Sequence, residues 1–107
     1  METNNTKEIA PQAATSEAKV ELFNTIRDKY KGNSSANQNM RLLEFMRHFS
    51  ISTFDARKHL DVMHPAGRVQ ELRDAGNEIE TLRLSEPSDV GRPHCIAVYV
   101  LRKEVGL

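Results

Sequence analysis

A chain of 107 residues supports one domain, and 38% hydrophobic with 28% charged residues is ordinary globular material with a polar excess. Fifteen basic and fifteen acidic side chains cancel, which excludes a uniformly basic coat and requires any nucleic-acid contact to come from a local patch. The single cysteine cannot form a disulfide within the chain. No run approaches the roughly 20 apolar residues of a membrane span, and the N-terminus lacks the apolar core of a secretory signal, so a reducing cytoplasm is the expected setting.

Residues 1–15 are rich in Asn, Thr, Ala, Gln and Glu with almost nothing to bury, and read as a disordered tail. Over 16–30, Ala18, Leu22, Phe23, Ile26 and Tyr30 recur at helical spacing, an amphipathic helix that Gly32 stops. Residues 32–35 form a linker by composition. The run Ser35-Ala36-Asn37-Gln38 has capping-box spacing, and Met40, Leu42, Leu43, Phe45, Met46 and Phe49 make the apolar stripe of a second helix. Ser52-Thr53-Phe54-Asp55 opens a third, short helix that runs through Ala56 to Leu60. Asp61-Val62-Met63 is a tight turn, because Pro65 suits the first position of a new helix and His64 before it resists the helical conformation. That fourth helix runs over 65–75, and Gly76 supplies a left-handed cap. The period then changes to two. Residues 78–84 read as a strand, 85–93 as a loop with two prolines and a glycine, and 94–102 as a strongly β-prone strand.

This order of elements describes an α+β winged helix-turn-helix: a three-helix core and a C-terminal β-hairpin wing over 35–107, preceded by an extra amphipathic helix and linker over 16–34. Thr53-Phe54-Asp55-Ala56-Arg57-Lys58-His59-Leu60-Asp61-Val62 and Pro65-Ala66-Gly67-Arg68-Val69-Gln70-Glu71-Leu72-Arg73 carry a resemblance. The chain resembles the small helix-turn-helix proteins common in phages and prophages. Their pattern is Thr-x-x-(Glu/Asp)-Ala, Leu-Gly-Ile, Pro-x-x-Arg-(Ile/Val)-x-x-Leu-Arg, then Ile-x-Thr, matched here by Ile79 and Thr81. Ala97, Tyr99 and Leu101 look like its final strand. The likeness covers residues from about 38 to 102, and Asp61 departs from it where the turn expects Gly. Asp tolerates the left-handed conformation better than most residues, so the turn survives. The resemblance implies binding of double-stranded DNA, without an enzymatic activity or a cofactor, and places the protein with the DNA of a bacterial cell.

Within the fourth helix, Pro65, Val69 and Leu72, with Ala66, define the expected buried face, which leaves Gly67, Gln70, Glu71 and Asp74 opposite and Arg68 and Arg73 on the flanks. The candidate DNA contacts are Arg57 and Lys58 on the backbone-crossing helix, His64, Gly67, Arg68, Gln70 and Glu71 on the recognition helix, and Arg92 in the wing. Arg68 is the leading single contact candidate, and its alternative reading is one half of a salt bridge to Glu71 or Asp61. Glu71 reads as a cytosine acceptor or as a tether for Arg57 or Arg68. Arg83 on the first strand is a weaker candidate. Cys95 reads as a small buried residue, and the histidines lack metal-ligand spacing. No phosphate loop or nucleophile arrangement points to an enzyme. The last strand is apolar on both faces, so the face with Ile96, Val98 and Val100 must be covered. The expected cover is the first helix, through Leu22, Phe23 and Ile26, within one chain or across a homodimer. The alternative packs that helix on the first domain helix, and a second functional reading is a winged domain that docks a partner protein.

Overall fold

The computed structural model describes residues 17–86 and 94–105. The elements follow as α1 (Glu17–Lys29), α2 (Ser35–Met46), β1 (Ile51–Ser52), α3 (Thr53–Leu60), α4 (Pro65–Asp74), β2 (Glu78–Glu86) and β3 (His94–Lys103). The expected tail over 1–15 and the wing loop with Arg92 lie outside the described residues.

Local chemistry accounts for most boundaries. Ser52 is extended and its Oγ accepts from the Asp55 N–H at 3.0 Å, so α3 starts at the capping residue the sequence names. The cap of α2 falls one residue earlier than expected. Ser34 accepts from the Asn37 N–H at 3.1 Å, while the Gln38 side chain reaches back to the Asn33 carbonyl at 2.8 Å. The α4 helix ends in a Schellman motif: the Gly76 N–H meets the Arg73 carbonyl and the Asn77 N–H meets the Leu72 carbonyl, with Gly76 at φ +113.

The sheet has three antiparallel strands in the order β1-β3-β2, one more than a bare hairpin. Ile51 and Ser52 pair with Tyr99 and Val98. Two residues carry no readable period, which is why the sequence gives no sign of β1. Pairing of Thr81 with Tyr99 and of Arg83 with Ala97 puts these side chains on one face with Ile79 and Leu101. This inner face closes a core with Leu42, Phe45, Met46, Ala56, Leu60 and Val69. Val98 and Val100 are also buried, on the outer face, beside the paired Glu80 and Arg102. Cys95 is exposed, against expectation: it lies at an open cleft beside the start of α3.

The α1 helix packs on α2 and α3. Phe23 stacks on Phe45 with ring centroids 4.3 Å apart and on His59 at 4.6 Å. Phe23 and Ile26 are fully buried there and Leu22 is half-buried against the same core. Burying two such side chains is worth about 1.5–3 kcal/mol each, enough to fix a thirteen-residue helix on the domain. Of the two placements open to this helix, the structure takes the one against the helices instead of a cover over Val98 and Val100. Ala18 faces solvent, and Lys19 is buried in its stead, with its ammonium 5.3 Å from the Phe49 ring.

Candidate nucleic-acid interface

The turn between α3 and α4 is built around Asp61, which sits at φ 55, ψ 42. An L-residue adopts this conformation at a cost that a carboxylate side chain tolerates. The turn is also held from behind. Arg41, 3% exposed, donates from Nε to the Leu60 carbonyl at 2.7 Å. Its Nη1 donates to the carbonyls of Tyr30 and Gly32 at 2.6 and 2.8 Å, and Nη2 lies 3.4 Å from the Asp61 carbonyl. One guanidinium therefore ties the end of α1 to the helix-turn-helix. Burial pulls the Arg41 pKa below its ordinary value, opposed by the nearby Asp61 carboxylate. It keeps its charge at neutral pH. Sequence periodicity hides this role, since a charged residue in an apolar stripe reads as a surface position.

The α4 helix buries Pro65, Val69 and Leu72. Ala66 is exposed and does not share that face as expected, while Gly67, Gln70, Glu71 and Asp74 point to solvent. Both arginines of α4 are turned to internal work. Arg73 donates to the Ile79 carbonyl at 2.9 Å and the Thr81 hydroxyl at 2.7 Å, bracing the helix against β2. Arg68 donates to the Ser35 hydroxyl at 2.9 Å and to Glu71 at 3.0 Å, while the other Glu71 oxygen accepts from Asn39 at 3.0 Å. The carboxylate of Glu71 is thus held in place by two donors while its side chain stays 45% exposed. Gln70 donates to Asp74 at 2.9 Å. Of these described residues, the outward face of α4 carries no cation.

Positive charge gathers beside it, between α3 and the inner face of the wing. Arg57 and Arg83 line one cleft with Thr53, Phe54 and Cys95. Arg57 is steadied by its Nε donating to the Met63 carbonyl at 3.2 Å, which ties the cleft to the turn before α4. The Lys58 ammonium lies 5.5 Å from the Phe54 ring. Phe54, 63% exposed at the start of α3, escapes the sequence reading, since a capping run draws attention to its polar members. His64 precedes α4 at φ −124, ψ 73 and makes no side-chain cap, so the first N–H groups of α4 have no side-chain partner at that position. Gly67 has helical surroundings, and a Cβ built there would meet nothing within 4 Å. Arg92 lies outside the described residues. Among the described residues no three His, Cys, Asp or Glu side chains converge as a metal site, and no helix is long and apolar enough to cross a membrane.

Comparison with known proteins agrees with this geometry. The winged helix-turn-helix domain matches residues 37–104, from the first turn of α2 to just past β3. No curated protein and no solved structure matches the chain. With more than half its length matched, the chain belongs to the winged helix-turn-helix domain family.

Proposed function

We propose that this protein binds double-stranded DNA sequence-specifically, as a transcriptional regulator or accessory factor of a phage or mobile element that acts by occupying its site and performs no reaction. The observation that carries the reading is the grouping of Arg57, Lys58 and Arg83 around one cleft beside the helix-turn-helix. Three cations there supply the phosphate contacts that a neutral chain must make locally. Arg92 adds a further contact from the wing. In this reading α4 lies in the major groove. Gln70 pairs with adenine, and Glu71 accepts from cytosine N4. Arg68 acts through Glu71, fixing the direction in which that carboxylate points.

Gly67 supports the same reading. Glycine costs about 1 kcal/mol relative to alanine inside a helix, and packing gives no reason for it here. Close approach of the α4 backbone and of the N–H groups after His64 to a phosphate gives one. A homodimer belongs to the same proposal, and it would meet through surface other than Phe23, Ile26, Val98 and Val100, all of which are buried within one chain.

Selection from a randomised duplex pool tests the proposal. The wild-type protein enriches a defined site, and Gln70→Ala and Glu71→Ala each relax one base position. A palindrome with half-sites about 34 Å apart marks the dimer. A second reading, a protein-docking winged domain, is favoured by the acidic outward face of α4, with Glu71 and Asp74 exposed and both its arginines held inward. A pool that enriches nothing supports that reading.

A further inference from the structure

The cleft between α3 and the wing has a volume of about 300 Å³. Its chemistry exceeds what a duplex backbone asks for. A phosphate needs cations and N–H groups, which Arg57 and Arg83 at the rim supply. The rest of the lining is mixed: Thr53 and Phe54 from the start of α3, and Cys95, Ile96 and Ala97 from β3. Phe54 stands 63% exposed with the Lys58 ammonium near its ring. An exposed ring needs no explanation by itself, but beside three cations it presents a flat apolar face next to positive charge. Aromatic faces flanked by cations are the means by which proteins hold unstacked bases.

We propose that this cleft binds one unpaired nucleotide at the end of a DNA duplex, its base stacked on Phe54 and its phosphate between Arg57 and Arg83. The inference rests on the DNA-binding reading and extends it. The duplex approaches α4, and a single-stranded extension turns into the cleft. The volume suits one nucleobase.

Two measurements test it. The first is fluorescence anisotropy on one duplex, either blunt or with a six-nucleotide oligo-dT overhang. Stacking of a base on an aromatic ring is worth about 5- to 150-fold in affinity. The overhang should therefore bind at least fivefold tighter than the blunt duplex. Phe54→Leu should abolish that ratio and leave blunt-duplex affinity within about twofold, with an unchanged melting temperature showing that it folds. The second uses Cys95, the sole cysteine of the chain, as a probe inside the cleft. Saturating overhang DNA should slow its reaction with a disulfide reagent several-fold in the wild type and not in Phe54→Leu. Blunt and overhang duplexes that bind equally, or Cys95 that reacts at the same rate in both, overturn the cleft proposal and leave the duplex reading standing. Absence of binding to either DNA overturns both.

Discussion

Replacing Arg41 by methionine removes the tie between α1 and the helix-turn-helix while keeping most of the buried volume. The Leu60, Tyr30 and Gly32 carbonyls lose donors now 2.6–2.8 Å away. A hydrogen bond to a charged group contributes about 1.5–3 kcal/mol net, and a buried acceptor left without a partner costs about 1–3 kcal/mol. The gain from no longer burying a cation opposes these losses. Leu60 is itself fully buried, so its carbonyl is the one water reaches least. Tyr30 and Gly32 stand nearer the surface, where water replaces part of what is lost. The balance is a loss of about 2–4 kcal/mol, which for a domain of this size lowers Tm by roughly 10–25 °C. Urea unfolding followed by circular dichroism measures it, with the midpoint falling and the slope unchanged. Arg41→Lys should recover less than half, because a compact ammonium cannot reach carbonyls on both sides as the planar fork does. A loss under about 1 kcal/mol for Arg41→Met would refute the reasoning, by showing that water or repacking satisfies all three carbonyls.

Other outcomes follow from the same geometry. Gly67→Ala should raise stability by about 0.5–1 kcal/mol and yet weaken DNA binding, so thermal melting and anisotropy on one variant should move in opposite directions. Gly76→Ala should cost about 1–3 kcal/mol in urea unfolding, since φ +113 strains an L-residue and the new Cβ would lie 2.8 Å from Val105 Cγ2. Burial pushes the Glu44 carboxyl up, but the hydrogen bonds from Tyr30 and Lys29 outweigh it and hold the pKa below the ordinary 4.5. The stability this provides is complete above the unfolded value and is lost as pH falls through the folded one. Glu44→Gln should therefore lower Tm at pH 7, and the gap to wild type should narrow as pH falls below 4.5.

Much of the fold is legible because local signals and burial agree. Ser52, Asp61, Pro65 and Gly76 each stand where a cap, a left-handed turn, a first helical position or a Schellman motif needs that residue type. The misses have equally local causes. β1 is two residues long and exists through its pairing with Tyr99 and Val98, a non-local fact. Ser34 and Ser35 are adjacent and chemically alike, so the capping box is ambiguous by one position. Alternation placed Cys95 on the inner face of β3 but could not say that this face opens into a cleft beside α3 there. At the site, spacing placed Arg68 on the flank of α4 and left a bridge to Glu71 open as one option. That Ser35 and Asn39 join the network depends on how α2 crosses α4, which no single helix encodes. Phe54 and Arg83 become one site because a helix start and a strand 29 positions away converge.

The most direct test of the central claim is the salt dependence of binding to a duplex, by fluorescence anisotropy, for the wild type and for Arg57→Ala/Lys58→Ala/Arg83→Ala. Each phosphate contact contributes about 0.9 to the slope of log K against log salt. The triple variant should therefore bind more weakly at low salt, with a slope shallower by about 2 to 3. An unchanged slope and affinity in the triple variant, or no binding by the wild type to any duplex at low salt, would contradict the account.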